Sequence, residues 1–214
     1  MDILEGIISP QNIIYEEFDP PLRIGVLASG EGSNFEAIAE SIQADKLKAI
    51  IKLLIVNNRD CNAISRAIRL GVPYLIIDHR HYNSREEFDR LIADKFISLD
   101  IEIIVMAGWM RIVTKELISK FPSRIINIHP SLLPSFKGLK ALSQAVNSGV
   151  LIAGCSTHFV NSEVDDGQLI SQAAIRVEPD QGTNVLLKRL QKFEHIILPQ
   201  SISIAGSIWR ASVS

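Results

Sequence analysis

The sequence predicts an α/β fold, with a three-layer, mostly parallel, Rossmann-like sheet that has helices on both faces. Three observations predict it. Apolar runs alternate with segments of helical spacing from residue 22 onward. The runs are nearly continuously apolar, as in strands that are buried on both faces. After about residue 150 the pattern changes to two strand-like runs around a turn, which predicts an antiparallel hairpin region towards the C-terminus.

Five strands are predicted before the hairpin. Each is a short run rich in Ile, Leu and Val that is bounded by turn residues or by a helical pattern. In order they cover residues 22–28, 50–58, 72–78, 101–108 and 124–129. The hairpin strands are predicted at 154–160 and 168–177, on either side of the turn-like sequence NSEVDDG.

The predicted helices lie between these strands, and two of them have clear end signals. Gly71 follows one helix and suits a left-handed cap. Ser84 and Glu87 occupy the two positions of a capping box at the start of another. The helices are predicted at residues 33–43, 62–70, 84–99, 114–121 and 184–202.

Domain organisation follows from length and from the first turn signal. A chain of 214 residues suits one domain with a sizeable core. Residues 1–21 end in Pro20-Pro21 and are interpreted as an N-terminal extension, with residues 22–214 as the domain itself.

The bulk composition excludes several classes of function. A net charge of -2 implies no general attraction to nucleic acid or to an anionic membrane. Cys61 and Cys155 are too few for a disulfide framework, and no Cys/His pattern has zinc spacing. We therefore expect a cytoplasmic protein in a reducing compartment, with no metal, no nucleic-acid partner and no membrane association. The oligomeric expectation is a monomer or a homodimer.

The sequence SGEGSN (29–34) lies between the first strand and the first helix. Gly32 lets the backbone approach a ligand, and the helix start at Ser33 and Asn34 offers free amides to a phosphate. Phe35 stands where a dinucleotide fingerprint needs its third glycine, and the P-loop lysine is missing. The alternative is a tight turn in which the glycines serve packing alone.

A second candidate site is the end of the strand at 124–129. Asn127 and His129 are two residues apart, so they share a face at the carboxyl end, where α/β proteins bind ligands. An amide beside an imidazole suits stabilisation of an oxyanion and proton transfer, as in attack on a carbonyl. A carboxylate would favour the imidazolium, and Asp165 and Asp166 are candidates. The alternatives are a structural histidine and an ordinary Asp-Asp-Gly turn.

Taken together, these residues resemble a known family. The sequence NIHPSLLP (127–134) is similar to the signature of the folate-dependent formyltransferases. Further similarity narrows the resemblance to the branch that formylates glycinamide ribonucleotide in purine synthesis. It lies in SGEGSN, MAGWMRI (106–112), STHFVNSEVDDG (156–167) and Glu194-His195. It covers roughly residues 22 to 205, so the domain at 22–214 is expected to be a formyltransferase domain.

The resemblance implies a reaction and its catalytic residues. A formyl group passes from 10-formyltetrahydrofolate, a cosubstrate, to the amine of glycinamide ribonucleotide, and no metal is needed. Asn127 and His129 would stabilise the oxygen of the tetrahedral intermediate, with His129 also a general acid. Asp165 would pair with His129 and relay a proton, and His158 would support Asp165.

The resemblance also implies binding residues for both small-molecule substrates. The substrate phosphate is expected on Gly32, Ser33 and Asn34, and the ribose near Gln191 and Glu194. The folate is expected to contact Asn127 and two further groups of residues. These are Arg85, Met110, Arg111, Ile112 and Val113, and Val160, Asn161, Ser162, Glu163 and Val164.

The loop at residues 135–140 departs from the family pattern, which has a basic residue, an aromatic residue and then Gly-x-His. Here Ser135, Phe136 and Lys137 precede Gly138, and Lys140 stands where His is usual. Lys137 or Lys140 is a candidate for the missing positive charge. The sequence PDQGTN (179–184) before the last helix also departs from the pattern.

Three alternatives share parts of the site. A formyltetrahydrofolate deformylase transfers the formyl group to water and usually has a further N-terminal domain, for which 21 residues are too few. A methionyl-tRNA formyltransferase needs a further C-terminal domain for tRNA. A non-catalytic folate-binding module has only the altered loop in its favour.

Overall fold

The computed structural model describes residues 6–11, 15–178 and 182–213. Its strands are β1 (Ile7–Ser9), β2 (Leu22–Ala28), β3 (Ala49–Val56), β4 (Tyr74–Ile76), β5 (Ile103–Met106), β6 (Ile125–His129), β7 (Ile152–Phe159) and β8 (Leu169–Arg176). Its α-helices are α1 (Ser33–Gln43), α2 (Asn62–Leu70), α3 (Arg85–Ile97), α4 (Lys115–Lys120), α5 (Ala141–Asn147) and α6 (Thr183–Val213), with a short 3-10 helix at His79–His81.

All described strands belong to one sheet, in the order β1-β8-β7-β6-β5-β2-β3-β4. The strands from β4 to β6 in this order run parallel. Strand β7 is antiparallel to β6, and β8 is antiparallel to β7. The predicted mostly parallel sheet with an antiparallel C-terminal hairpin is therefore confirmed.

Two apolar clusters lie on opposite faces of this sheet, because side chains alternate along each strand. One face carries Val26 and Ile126 and is covered by α1, α2 and α6. The other carries Leu27 and Ile125 and is covered by α3 and α4. The predicted three-layer arrangement follows from this alternation. It also turns Asn127 and His129 away from the face that α6 covers.

The structure differs from the predicted elements in several places, and neither strand β1 nor the short 3-10 helix was predicted. Helix α5 was not predicted, since it has only seven residues and follows the irregular loop. Helix α6 continues to Val213 rather than ending at residue 202. Small residues allow this continuation, because a Cβ on Gly206 would lie 2.6 Å from the Leu22 side chain. Residues 179–181 of the altered PDQGTN sequence lie outside the described residues.

The described part of the N-terminal extension packs onto the domain. Strand β1 pairs antiparallel with β8. The backbone N–H of Glu16 donates to Ser203 Oγ at 2.8 Å, and Arg210 donates to the Pro20 carbonyl at 2.7 Å. Phe18 is buried in the cluster that includes α6. The extension therefore braces the C-terminal half of α6, although the domain boundary at residue 21 stays a prediction.

Candidate active site

Strand register brings three polar side chains together at the carboxyl end of β6. Asn127 lies opposite His158 on β7, and His129 lies opposite Ser156. Directly opposed residues of an antiparallel pair project to the same face. Asn127, His129 and His158 therefore share one face, and both histidines are buried.

The Asp165 carboxylate lies at the centre of this group. Its Oδ2 is 3.2 Å from His129 Nδ1 and accepts from the Gly138 N–H at 2.9 Å. Its Oδ1 is 3.4 Å from both His158 Nε2 and Asn127 Nδ2. Asp165 has a positive φ of 49°, a region that aspartate enters more readily than most residues. The structure thus brings Asn127, His129, His158 and Asp165 into one cluster.

Both ring nitrogens of His129 face acceptors. Nε2 lies 2.9 Å from the Phe136 carbonyl oxygen, which can only accept, so Nε2 carries a proton. Nδ1 faces the Asp165 carboxylate at 3.2 Å. An imidazolium satisfies both contacts as a donor, and the Phe136 bond fixes the ring so that Nδ1 is the nitrogen that faces the centre of the cluster.

His158 is oriented in a similar way. Its Nδ1–H donates to the Phe159 carbonyl at 2.8 Å. Its Nε2 is therefore turned to Asn127 Nδ2 at 3.3 Å and to Asp165 Oδ1 at 3.4 Å. His158 and Asn127 thus contact the same side of the carboxylate and limit its rotation.

The surroundings of Asp165 favour its ionised form. Burial alone would raise the pKa of this carboxyl. Hydrogen bonds from His158 and from the Gly138 N–H, with the nearby His129, outweigh that effect, and the net pKa of Asp165 is below its ordinary value. A carboxylate in this state can accept a hydrogen bond from His129 Nδ1, which lies 3.2 Å from it.

Side chains of the hairpin fix the backbone of the loop after β6. Ser156 Oγ donates to the Ser131 carbonyl at 2.7 Å and accepts from the Leu133 N–H at 3.1 Å. Gln172 on β8 donates to the Leu133 carbonyl at 3.0 Å. Ser131 Oγ donates to the Ser135 carbonyl at 2.6 Å. The geometry of the loop therefore depends on these bonds as well as on its two prolines.

A second polar group lies between α1 and α6. Gly32 has a positive φ of 72°, and a Cβ there would lie 2.7 Å from Ala63. Ser33 is the first residue of α1, whose first turn has no side-chain cap. Asn34 Nδ2 donates to Glu194 Oε2 at 2.9 Å. This bond joins the glycine loop to the last helix.

The Glu194 carboxyl is buried with fewer donors than Asp165. Burial raises its pKa, and the bond from Asn34 only partly offsets the effect. Glu194 also lies near Cys155 on β7. The pKa of the Cys155 thiol is raised, mainly by burial and then by the charge of Glu194. Asn34 Oδ1 is buried and has no hydrogen-bond partner among the described residues. An unpaired buried oxygen of this kind suits a ligand hydroxyl or amine.

Gln191 is half-buried on α6, three residues before Glu194. Residues three apart on a helix lie on one face. The residues predicted to bind the ribonucleotide therefore lie on the two elements that the Asn34–Glu194 bond joins. They are Gly32, Ser33, Asn34, Gln191 and Glu194.

Exposed apolar side chains mark the segment after β5. Met110 is 66% and Ile112 is 53% exposed, whereas Val113 is buried. The Met110 N–H donates to Ser29 Oγ at 3.0 Å, and the Arg111 guanidinium lies 5.1 Å from the centre of the Phe88 ring. Phe88 stacks in turn on Trp109. The backbone is held in place while two large apolar side chains remain open to a ligand.

The other predicted folate residues are exposed, except for Val160, which is half-buried. Arg85 is exposed as the first residue of α3. Val160 follows β7, and its N–H donates to the Ile125 carbonyl at 2.8 Å. Asn161, Ser162, Glu163 and Val164 form an exposed turn in which Asn161 Oδ1 accepts from the Glu163 N–H.

Several contacting groups were not predicted as site residues. They are the Phe136 carbonyl, the Gly138 N–H, Ser156 and Gln172. Backbone atoms have no residue signature, and Phe136 takes a positive φ of 54° that its residue type does not indicate. Lys137, in the altered loop, pairs with Asp166. Within the described ranges, no group of three or more His, Cys, Asp and Glu side chains is arranged to hold a metal ion, and no helix could span a membrane.

Comparison with protein families and with curated sequences gives one consistent match. The family model described as formyl transferase matches residues 22–202. A phosphoribosylglycinamide formyltransferase of Bacillus subtilis is 34% identical over 84% of this chain and 92% of its own length. The human trifunctional purine biosynthetic protein adenosine-3 is 38% identical over 86% of this chain, which spans 18% of the human protein's length.

Solved structures give the same result. A glycinamide ribonucleotide transformylase of Symbiobacterium toebii superposes with a TM-score of 0.86 at 37% identity, and 93% of each chain is covered. A phosphoribosylglycinamide formyltransferase of Bacillus halodurans superposes with a TM-score of 0.82 at 33% identity, with 85% of this chain and 93% of the other covered.

Proposed function

The chain belongs to the formyl transferase family, and on that premise we propose that it is a phosphoribosylglycinamide formyltransferase of purine biosynthesis. It transfers a formyl group from 10-formyltetrahydrofolate to the amine of glycinamide ribonucleotide. The observation that carries the proposal is the convergence of Asn127, His129 and Gly138 on Asp165, in a chain that matches relatives of that name over nearly their whole length.

The first chemical step is attack of the substrate amine on the formyl carbon. A new C–N bond forms, and the π electrons of the formyl group move to its oxygen. The Asn127 Nδ2–H and the His129 Nδ1–H, which face the same carboxylate, are the donors for this oxyanion. Donors held in place before the reaction stabilise developing charge without reorganisation.

The second step is collapse of the tetrahedral intermediate. The oxygen restores its carbonyl bond, the bond from the carbon to folate N10 breaks, and N10 leaves with a proton from His129. The attacking nitrogen releases a proton, which Asp165 accepts directly or through water and returns to His129. The low pKa of Asp165 keeps it ionised and ready for this exchange.

The glycine loop and α6 support the ribonucleotide. The phosphate is placed on Gly32 and on the free amides of Ser33 and Asn34 at the helix start, where the dipole favours an anion. The ribose hydroxyls are placed at Glu194, with Gln191 beside them. The unpaired Asn34 Oδ1 supports this assignment, because a hydroxyl donor would satisfy it.

The folate lies on the other side of Asn127. Its ring is placed against the backbone from Met110 to Val113, with the exposed Met110 and Ile112 side chains as apolar contacts. The turn from Val160 to Val164 encloses it, and Arg85 is assigned to its carboxylates. Both cysteines of the chain are free, in keeping with the cytoplasmic location predicted from the sequence.

The test is tetrahydrofolate formation by the purified protein from 10-formyltetrahydrofolate, with and without glycinamide ribonucleotide. We expect turnover only when the ribonucleotide is present. Equal turnover without it would replace the proposal with a deformylase. Folate binding without turnover in either condition would indicate a binding module.

A further inference from the structure

Lys137 and Asp166 form an ion pair at the edge of the catalytic cluster. Lys137 lies in the loop of residues 135–140, which departs from the family pattern. Asp166 directly follows Asp165 in the hairpin turn. The pair therefore joins two segments that are 29 residues apart in the chain, each of which contributes to the cluster.

The residues on either side of Lys137 contact the reacting groups through their backbones. The Phe136 carbonyl accepts from His129 Nε2 at 2.9 Å, and the Gly138 N–H donates to Asp165 Oδ2 at 2.9 Å. The ring of His129 and the carboxylate of Asp165 are thus both oriented by the peptide groups that flank one lysine. A movement of this loop would alter both contacts together.

The loop has no regular structure of its own to keep it in place. Phe136, Gly138 and Lys140 all have positive φ values, of 54°, 77° and 58°. Such conformations are costly for residues other than glycine and persist when surrounding contacts hold them. Ser131 and Gln172 fix the loop as far as Ser135. Beyond Ser135, the side chain of Lys137 pairs with Asp166.

We propose that Lys137 is a positioning residue, whose ion pair with Asp166 holds the 135–140 loop against His129 and Asp165. The inference rests on the proposed function and assigns a role to the residues in which this chain departs from the family. The pair is partly exposed, with side-chain exposures of 37% and 49%. An exposed pair contributes little in isolation, so the expected effect on turnover is modest and dependent on salt.

The first test compares Lys137→Met with Asp166→Asn. Each substitution should lower kcat by about two- to five-fold. Each should also move the acidic limb of the kcat–pH profile to higher pH, because a loosened Gly138 N–H no longer stabilises the ionised Asp165. The charge-matched control is Lys46→Met, since Lys46 is an exposed lysine far along the chain from this loop.

Asp166→Asn separates positioning from simple electrostatics. The groups that face Asp165 are His129, His158, Asn127 and the Gly138 N–H, and Asp166 follows it in the chain. Removal of the negative charge of Asp166 alone would favour ionisation of Asp165 and move the acidic limb to lower pH. The proposal predicts the opposite direction, because the loop is released.

A double-mutant cycle and a charge swap complete the test. The Lys137→Met, Asp166→Asn double variant should lose no more activity than either single variant. The Lys137→Asp, Asp166→Lys exchange should restore a substantial part of kcat. Fully additive losses, or single variants with the wild-type kcat and pH profile, would overturn the proposal.

An NMR readout keeps this inference distinct from the proposed function. The imidazole nitrogen signals of His129 report its bond to the Phe136 carbonyl without any substrate. They should change in Lys137→Met and stay unchanged in Lys46→Met. A wild-type protein without ribonucleotide-dependent turnover would refute the function, whereas unchanged His129 signals in Lys137→Met would refute the positioning role.

Discussion

The carboxyls of Asp165, which is half-buried, and of Glu194, which is buried, differ in the number of donors around them. Asp165 is contacted by His129, His158, Asn127 and the Gly138 N–H, and its pKa is lowered despite burial. Glu194 accepts from Asn34 and its pKa is raised by burial. Burial disfavours the charged form of both groups, so donors decide the outcome.

This difference suits the two carboxyls to two different functions. A carboxylate that is already charged suits proton transfer and the support of an imidazolium. A carboxyl with unused hydrogen-bonding capacity suits a ligand that brings its own donors, such as the hydroxyls of a ribose. We therefore expect substitutions near Asp165 to affect kcat and substitutions near Glu194 to affect the KM for the ribonucleotide.

His129→Ala should give the largest effect. It removes both the oxyanion donor and the general acid, so kcat should fall by roughly a hundred- to ten-thousand-fold. Both KM values should change little, because the lost contacts form in the transition state. Steady-state kinetics measures this, with the exposed His81→Ala as control. A His129→Ala variant with normal turnover would remove this residue from the mechanism.

Asp165→Asn should rank second. The amide keeps the shape of the side chain but cannot accept a proton or stabilise the imidazolium, so kcat should fall about ten- to hundred-fold. The lowered pKa of Asp165 means that activity needs the ionised form and is lost as pH falls through that pKa. The acidic limb due to Asp165 should therefore disappear from the kcat–pH profile. An unchanged limb would assign it to another carboxyl.

The Asp165 carboxylate also contributes to the stability of the folded protein, and the direction of its pH dependence follows from its pKa. Because the folded pKa of Asp165 lies below its unfolded value, its contribution is present above the unfolded pKa and is lost as pH falls through the folded pKa. Thermal unfolding of Asp165→Asn should therefore show a lower Tm than wild type near neutral pH, and a smaller difference in acid.

Glu194→Gln should act on binding instead of chemistry. Loss of a charged acceptor for the ribose should raise the KM for glycinamide ribonucleotide by about tenfold, with kcat and the KM for the folate nearly unchanged. Kinetics with each substrate varied in turn measures the difference. A loss confined to kcat would contradict the assignment of Glu194 to the ribose.

Glu194 should also affect stability with the opposite sign to Asp165. Its folded pKa is raised, so stability is highest below the unfolded pKa and is lost as pH rises through the folded pKa. Glu194→Gln removes this titration, and its Tm should exceed that of wild type near neutral pH. A Tm that follows the wild-type pH dependence would contradict the raised pKa.

Gly32→Ala should give the smallest effect of the series. A Cβ at a φ of 72° is strained and would lie 2.7 Å from Ala63, so the loop must shift. The KM for the ribonucleotide should rise a few-fold and the Tm should fall. Gly30→Ala is the matched control, because a Cβ there meets nothing within 4 Å. An effect on the folate KM alone would place the loop at the other substrate.

The sequence predicts the parallel half of the fold well, because β2, β3, β5 and β6 are largely buried and read as continuous apolar runs. Strand β1 and helix α5, in contrast, were not predicted from the sequence. Strand β1 is three residues long and is defined by its pairing with β8. Helix α5 follows Lys140, whose positive φ has no residue signature. Short elements of this kind depend on tertiary contacts that no local pattern reports.

In the cluster around Asp165, the side chains were predictable and the backbone groups were not. Asn127 and His129 follow from strand alternation, and the structure places both beside Asp165. Asp165 was one of two candidate carboxylates in the hairpin turn, and the family resemblance selected it over Asp166. The Phe136 carbonyl and the Gly138 N–H contact the same cluster through peptide atoms that every residue has. The direction of a peptide group depends on the loop conformation, which the residue types at 135–140 do not indicate.

The most direct test of the account is the destination of the formyl group. The wild-type protein would be given 10-formyltetrahydrofolate with an isotopically labelled formyl group, together with glycinamide ribonucleotide, and the products identified by mass spectrometry. We predict that the label appears on the ribonucleotide, at a rate that Asp165→Asn lowers in parallel with kcat. Label recovered as formate, or label that stays on the folate, would contradict the account.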